Sequence, residues 1–159
     1  MRVPFRTILC PTDLSKIGDL AVPVAYQLAG KGGTVHLLHV CEPPFLGNPL
    51  YNQFVQGYVP TPEERQEGED RVNRQLHQLA PDDALTRGVR TEYHLVHGIS
   101  VPDVIEEQAK EIGADVVVLG THGRTGISRL VMGSVAEEVV RKEHLPVILV
   151  HEDLPKEEE

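Results

Sequence analysis

The chain has 159 residues, 40% of them hydrophobic and 25% charged, which suits one globular domain with a core. Its 24 acidic residues against 15 Lys and Arg give a formal net charge of -9, which argues against general binding to nucleic acid or an anionic membrane. No apolar run approaches the roughly 20 residues of a membrane helix, so we expect no membrane insertion. The first residues lack the pattern of a secretory leader, and we expect a cytoplasmic protein.

Apolar runs typical of strands alternate along the chain with helical patterns. The strands are predicted at 7–10, 34–40, 90–97, 115–119 and 146–150, and the helices at 15–29, 62–79, 100–112 and 127–143. This alternation predicts an α/β fold, a single doubly wound domain whose parallel sheet has helices on both faces. We find neither an internal repeat nor a second domain.

The first helix and the long connection that follows the second strand have distinctive residues. Ser15 is a plausible N-cap, Gly30 would follow the helix end, and Pro23 is expected to kink the helix. Residues 41–61 contain four prolines and two glycines and are interpreted as a long loop insertion. The domain is predicted to span residues 1–152, and residues 153–159 form an acidic tail.

Two segments that follow predicted strands could bind a ligand, because open α/β sheets bind ligands beyond the carboxyl ends of their strands. Pro11-Thr12-Asp13 follows the first strand, and Asp13 could accept hydrogen bonds from a ribose or a base. Gly120-Thr121-His122-Gly123-Arg124-Thr125-Gly126 follows the fourth, and its glycines allow a close approach of backbone N–H groups to an anion.

A third feature lies nine residues beyond Gly123, at Gly133 and Ser134. Ser134-Val135-Ala136-Glu137 has the spacing of a capping box, so a helix N-terminus suited to phosphate is predicted at Ser134. Arg124 adds a donor fork that suits phosphate. The chain has no P-loop and no GxGxxG after its first strand, so a dinucleotide site is not indicated.

The histidines and cysteines allow other interpretations. A metal site would use some of His36, His39, His94 and His97, but no carboxylate or thiolate stands at a fixed spacing, so we expect structural or hydrogen-bonding roles. His97 could approach the ligand from its strand end. Cys10 and Cys41 could come close and sense oxidation, although packing is the favoured interpretation. No protein ligand to a metal and no catalytic residue is assigned.

The glycine pattern Gly120-x2-Gly123-x9-Gly133-Ser134 resembles the universal stress protein family, in which it marks the ATP-binding members. Ile8-Leu9-Cys10-Pro11-Thr12-Asp13 and Pro146-Val147-Ile148-Leu149-Val150 also resemble family sequence, and the resemblance covers about residues 3 to 151. It implies a Rossmann-like fold of the adenine nucleotide alpha hydrolase-like type, with a five-stranded parallel sheet in the order 3-2-1-4-5. It also implies a homodimer paired through strand 146–150.

The resemblance further implies an adenine nucleotide site, for ATP or for ADP or AMP. The residues that it would place at adenine and ribose are Pro11, Thr12, Asp13 and the backbone of Val40. Those that it would place at ribose and phosphates are Leu119, Gly120, His122, Gly123, Arg124, Gly133, Ser134 and Val135. A Mg or Mn ion would bridge the phosphates. Ala136 departs from the family, because some ATP-binding relatives have a hydroxyl residue there.

These features support two main hypotheses about function. The first is a regulatory ATP-binding homodimer of the stress response, with slow or no ATP hydrolysis. The alternative is a protein–protein interaction module with a vestigial nucleotide site, in which the polar helix 62–79 and the long loop carry the partner surface. A hydrolase that uses His97 or His122 is a weaker third hypothesis.

Overall fold

A computed structural model of the chain describes residues 5–43, 60–121 and 132–151. The strands are β1 (Phe5–Pro11), β2 (Ala29–Cys41), β3 (Arg90–His97), β4 (Val116–Gly120) and β5 (Val147–Val150). The α-helices in the described ranges are α1 (Ala21–Leu28), α2 (Pro62–His77), α3 (Val101–Ile112) and α4 (Ser134–Lys142). None of these helices is both long enough and apolar enough to cross a membrane.

All five strands belong to one parallel sheet with the order β3-β2-β1-β4-β5. The predicted α/β fold and its strand order are confirmed. The chain builds outward from β1 through β2 to β3, and then returns to the other side of β1 to add β4 and β5. The strand order therefore reverses between β1 and β4, and the connections that leave these two strands diverge to opposite sides. A crevice at their carboxyl ends is the place where this fold binds ligands.

The sheet separates two apolar cores, because alternate residues of a strand point to opposite faces. Ile8 and Cys10 of β1 face the core that contains α1, together with Leu76 from α2. Leu9 lies between them in sequence and faces the other core, which contains α3 and α4. Helices therefore cover both faces of the sheet, as predicted from the alternation of elements.

The first helix is shorter than predicted. The α-helix starts at Ala21, after a single 3-10 turn at Gly18–Leu20, and Ser15 is not its N-cap. Leu14 has a positive φ of 64°, which interrupts any helix begun before it. Pro23 is the third residue of α1, where a backbone N–H has no carbonyl partner within the helix, so the helix tolerates it.

The glycine expected just past the end of this helix lies inside a strand. Gly30 is part of β2, which begins at Ala29, directly after the last residue of α1. The pairing of β1 with β2 is irregular there: Phe5 lies opposite Ala29, whereas Thr7 lies opposite Thr34. Gly32, at a φ of +86°, lies within the extra residues of β2 and adopts a backbone conformation that glycine tolerates best. The glycines therefore form a bulge rather than a turn between elements.

The other predicted boundaries agree with the structure to within a few residues. β3 spans the predicted 90–97, and the Ser100 hydroxyl accepts a hydrogen bond from the Asp103 backbone N–H at the start of α3. α2 ends at His77, short of the predicted residue 79, and β4 is shifted by one residue to Val116–Gly120. The insertion at 41–61 lies largely outside the described residues, as does the start of the helix predicted at 127–143.

Candidate functional site

A cavity of about 500 Å³ lies at the carboxyl ends of the central strands, where the strand order reverses. We call it the switch-point cavity. Its walls come from the ends of β1, β2 and β4 and from the starts of α3 and α4. The fold thus opens a site of small-molecule size where its topology predicts one.

Nine of the twelve predicted site residues line the switch-point cavity. They are Pro11, Thr12, Asp13, Val40, Leu119, Gly120, Gly133, Ser134 and Val135. The other three, His122, Gly123 and Arg124, lie outside the described residues. Segments more than 100 residues apart in the sequence therefore meet around one cavity.

Half of the residues that line the cavity were not among the twelve predicted site residues. These are Gly18, Leu38, His39, Cys41, Glu42, Val101, Ile105, Thr121 and Ala136. Two signals in the sequence could have found some of them. Thr121 lies inside the glycine-rich segment, and Cys41 directly follows the predicted strand that ends at Val40.

Thr12 anchors the loop that follows β1. Its backbone N–H donates to the Leu38 carbonyl at 2.8 Å, and its hydroxyl donates to Asp19 at 2.7 Å while accepting from the Leu14 N–H at 3.0 Å. The His39 Nδ1 donates to the Thr12 carbonyl at 2.9 Å, because a carbonyl oxygen can only accept. The protein itself thus uses the polar groups of Thr12, which makes this residue a support for the loop.

Asp13 is held in place by the residues that follow it. Its Oδ1 accepts from the Ser15 backbone N–H at 2.9 Å and from the Ser15 hydroxyl at 2.6 Å. Gly18 packs so closely that a Cβ there would lie 2.3 Å from the same oxygen. Burial raises the pKa of the neighbouring Asp19 carboxyl, and the charge of Asp13 adds to this rise against the lowering effect of the Thr12 hydrogen bond. The loop thus presents one carboxylate, Asp13, to the cavity in a fixed orientation.

The start of α4 forms the wall across from this loop. Gly133 is the N-cap, and as a glycine it has no side chain that could cap the helix. The prediction that Ser134 caps the helix is wrong by one position: Ser134 is the first helical residue, and the first bond of the helix runs from the Glu137 N–H to the Gly133 carbonyl. The N–H groups of Ser134, Val135 and Ala136 therefore have no carbonyl partner within the helix, which creates a place for an anion.

Thr121 ties this helix start to the sheet. Its backbone N–H donates to the Val150 carbonyl at 3.0 Å, and its own carbonyl accepts from the Gly133 N–H at 2.6 Å. The side chain is almost fully buried and lies 3.2 Å from the His151 Nδ1. Thr121 thus fixes the N-cap of α4 against the ends of β4 and β5.

The cysteines and His97 do not form a reactive centre in the structure. Cys10 is opposite Leu37 in the sheet, so Cys41 lies four residues farther along β2, and both are free thiols. Burial raises the pKa of the Cys10 thiol to about 12 and also raises that of Cys41. His97 does not line the switch-point cavity and lies 2.9 Å from Glu69 of α2.

The remaining histidines include a pair on neighbouring strands. The His36 Nδ1 lies 2.9 Å from the His94 Nε2, and the Glu92 carboxylate is 3.7 Å from the same His36 nitrogen. Burial lowers the pKa of the His36 imidazole, against the opposing effect of Glu92. Sequence reasoning missed Glu92 because only the strand register places it opposite His36.

Comparison with known proteins shows the family of the chain. The model of the universal stress protein family matches residues 4–151. Universal stress protein G of Escherichia coli O157:H7 is 34% identical over 149 residues, covering 92% of this chain and 99% of that protein. Universal stress protein MJ0531 of Methanocaldococcus jannaschii is 30% identical over 156 residues, covering 97% of this chain and 85% of that protein.

Solved structures share the fold over nearly the whole chain. The structure of hypothetical protein MJ0577 matches with a TM-score of 0.75 at 24% identity, over 96% of this chain and 99% of that one. A universal stress protein in complex with cAMP matches with a TM-score of 0.62 at 24% identity, over 94% of this chain and 98% of that one. The universal stress protein from Archaeoglobus fulgidus in complex with dAMP matches with a TM-score of 0.57 at 22% identity, over 92% of this chain and 98% of that one. With its sequence matched from residue 4 to residue 151, this chain belongs to the universal stress protein family.

Proposed function

We propose that the chain binds an adenine nucleotide, ATP in the first instance, in the switch-point cavity. One observation carries the proposal: the start of α4, with three N–H groups that lack helical partners, lines the same cavity as the Asp13 carboxylate. The start of α4 suits phosphates, and the Asp13 carboxylate suits the hydroxyls of a ribose. A nucleotide needs both, and the cavity volume of about 500 Å³ is in the usual range for small-molecule sites.

In this proposal the nucleotide lies across the carboxyl ends of the central strands. The phosphates bind at Gly133, Ser134 and Val135, and the ribose lies near Asp13. The adenine lies against the backbone of Val40, beside the apolar residues of the cavity wall. Leu119 and Gly120 complete the wall at the end of β4. A Mg or Mn ion would be held by the phosphates rather than by the protein.

Two relatives support adenine as the base. The solved universal stress proteins in complex with cAMP and with dAMP have the same fold as this chain. Both ligands are adenine nucleotides with one phosphate. The choice of ATP for this chain rests on the resemblance of its glycine pattern to that of the ATP-binding family members. Gly133 and Ser134 of that pattern lie at the start of a helix, which suits phosphate.

We expect a regulatory role with slow or no hydrolysis of ATP. His39 lines the cavity, but its Nδ1 is used in the hydrogen bond to the Thr12 carbonyl, and it therefore acts as a support for the loop. Steady-state turnover by purified protein with Mg and ATP should be far slower than the typical enzyme rate of about 10 s⁻¹. Turnover near that rate would contradict the regulatory role.

We propose a homodimer that pairs through β5. Val147–Val150 forms one edge of the sheet, and all four of its residues are only half-buried in the single chain. An apolar edge strand left open would promote aggregation, and pairing with a second copy would cover it. The chain weighs 17.6 kDa, and sedimentation equilibrium at micromolar concentration should give twice this mass. A mass of one chain at that concentration would contradict the dimer.

The alternative, an interaction module with a vestigial site, rests on α2 and Ala136. The first residues of α2 after its Pro62 are exposed and acidic, and Leu76 is its one buried residue. Ala136 faces the cavity with no hydroxyl for a phosphate. This alternative predicts a stable protein whose melting temperature does not change with nucleotide.

The proposed function is tested by purifying the protein without added nucleotide and analysing what it carries. The protein is denatured and the supernatant is chromatographed. The amount of nucleotide released is then compared with the amount of protein. We expect ATP or ADP at up to one molecule per chain. A supernatant without nucleotide, followed by no change in melting temperature at millimolar ATP, would contradict the proposal and favour the interaction module.

A further inference from the structure

Three side chains on β2 and β3 form a cluster that the nucleotide site does not use. The ligating atoms of His36, Glu92 and His94 all lie within 4.8 Å of one another. We call this group the histidine cluster. Across the described ranges, it is the only group of three such side chains close enough to share a metal ion. None of its members lines the switch-point cavity.

The register of the parallel strands brings the cluster together. His36 lies opposite Glu92, and Leu38 lies opposite His94. Because side chains two residues apart on a strand point to the same face, Glu92 and His94 flank His36 on one face of the sheet. This is the face of Leu38, on the side of the core that contains α3 and α4. Two paired strands therefore fix all three positions without help from a loop.

The two distances from His36 are close to those that a tetrahedral metal ion requires. Zinc binds imidazole nitrogen at about 2.0–2.1 Å, so two ligands at a tetrahedral angle lie about 3.3 Å apart. The two imidazole nitrogens are 2.9 Å apart, and the Glu92 oxygen is 3.7 Å from the His36 nitrogen. The separation of the imidazole nitrogens is shorter than the tetrahedral value, and the separation of Glu92 from His36 is longer, each by about 0.4 Å. Small rotations of His94 and Glu92 would bring both to the required value.

Exposure leaves a path for an ion to enter. The His36 side chain is 9% exposed and supplies a rigid inner ligand, whereas that of Glu92 is 60% exposed and faces solvent. His94 lies between these extremes. The cluster therefore has one fixed ligand in the protein, two adjustable ligands, and an open side where water can complete the coordination.

We propose that His36, Glu92 and His94 bind one zinc ion per chain, with water as the fourth ligand. Two imidazoles and one carboxylate are the protein ligands of zinc sites that keep an open position. Magnesium prefers oxygen ligands in octahedral geometry, and this set offers it one carboxylate. The site is therefore distinct from any magnesium held by nucleotide phosphates, and it does not depend on the proposed nucleotide function.

In the absence of metal, a shared proton explains the contact between the two rings. The rings are stacked with centroids 5.1 Å apart, and one imidazole can donate to the other. For zinc to bind, the donor imidazole would take the tautomer that carries this proton on its other ring nitrogen, which leaves both facing nitrogens free for the metal. A cluster that is only a hydrogen-bonded pair would hold the proton and bind no metal, so titration with metal separates the two interpretations.

The test is a calorimetric titration of the full chain, stripped of metal and nucleotide, with Zn²⁺. We expect saturation at one ion per chain and no saturable heat with Mg²⁺. The variants Glu92→Gln and His94→Gln should each weaken zinc binding at least about tenfold, since even residues that only orient metal ligands contribute tenfold to a hundredfold. The matched control is His97→Gln, which removes an exposed histidine of the same strand that lies 2.9 Å from the Glu69 carboxylate of α2, and it should leave the affinity unchanged.

Two further readouts keep the result decisive. The absorption of bound Co²⁺ should report tetrahedral coordination in the wild type and change in Glu92→Gln, whose exposed side chain leaves folding undisturbed. The proposal is overturned if the wild type shows no saturable binding of zinc. It is equally overturned if His97→Gln lowers the affinity as much as Glu92→Gln and His94→Gln do.

Discussion

At the scale of single residues, the orientation of Asp13 depends on a glycine five positions later. Ser15 supplies two hydrogen bonds to Asp13 Oδ1, and Gly18 leaves just enough room for that oxygen. These contacts hold the carboxylate in one orientation. The orientation of the group that we assign to the ribose therefore depends on a residue that has no side chain of its own.

The variant Gly18→Ala should weaken nucleotide binding and leave the fold intact. The added Cβ would lie 2.3 Å from Asp13 Oδ1, and the carboxylate is the end of a side chain that can rotate away. A lost hydrogen bond to a charged group costs about 1.5–3 kcal/mol, so ATP affinity should fall about tenfold or more. Calorimetry measures the affinity, and circular dichroism checks the fold.

The control for this change is Gly68→Ala on α2. An added Cβ there meets nothing within 4 Å, so the affinity should be unchanged and the helix slightly more stable. If Gly18→Ala binds ATP as tightly as Gly68→Ala, the assignment of Asp13 to the ribose is wrong.

Cys41 offers a test of the site that needs no mutation. It is half-buried, lines the switch-point cavity, and has a pKa raised by burial and by the Glu69 carboxylate. Alkylation by iodoacetamide should be slow, should speed up with rising pH as the thiolate forms, and should be blocked by ATP. At ATP concentrations 100 times the Kd, about one site in a hundred is free, so the rate should fall by up to about a hundredfold.

The second cysteine is an internal control for that experiment. Cys10 is fully buried, and its pKa is raised to about 12, so it should react only after unfolding whether or not ATP is present. Mass spectrometry of peptides separates the two sites. An alkylation rate at Cys41 that ATP leaves unchanged would place the nucleotide elsewhere.

At the scale of elements, the start of α4 tests whether backbone groups bind the phosphates. The variant Ser134→Pro removes one N–H and the hydroxyl, yet proline suits the first position of a helix. Gly133 has φ −58° and ψ 150°, the conformation preferred before proline, so α4 should form normally. We expect ATP affinity to fall about tenfold or more, the cost of one charge-assisted hydrogen bond, with an unchanged melting temperature.

The matched variant Ser134→Ala keeps the N–H and removes only the hydroxyl. It should therefore lose less affinity than Ser134→Pro in the same calorimetric titration. Equal losses would assign the contact to the hydroxyl, and two unchanged affinities would remove the start of α4 from the site.

The elements were predictable from the sequence where local pattern alone decides them. β3 and α3 agree closely because an alternating run and a serine cap leave little choice. The start of α1 was not predictable, because the turn at Leu14 depends on side-chain acceptors: the Thr12 hydroxyl accepts a hydrogen bond from the Leu14 backbone N–H, and the Asp13 carboxylate accepts one from the Ser15 backbone N–H. Bonds from backbone N–H groups to nearby side chains leave no periodicity of apolar residues to detect.

The site was partly predictable for the same reason. The loop after β1, the glycine pattern and the family resemblance together pointed to nine residues that line the cavity. Gly18 and Thr121 were missed, because their roles come from packing against Asp13 and from bonding to β5 across the sheet. Glu92 was missed because pairing it with His36 requires the register of β2 and β3.

At the scale of the whole molecule, the cavity lies between the two halves of the sheet. β1 and β2 contribute one side, and β4 with α4 contributes the other. The two cores on the opposite faces share these central strands. A nucleotide bound there would contact both halves, and its binding would therefore stabilise the folded chain as a unit, by about 2.7 kcal/mol at 100 times the Kd.

The most direct test of the central claim is a calorimetric titration of nucleotide-free protein with ATP and Mg²⁺, run beside a thermal melt. We predict saturable binding of one ATP per chain and a melting temperature that rises with ATP concentration. Heat indistinguishable from dilution, together with a melting temperature unchanged at millimolar ATP, would contradict the account. The cavity would then be a remnant of the family fold, and function would have to be sought on the surfaces of α2 and β5.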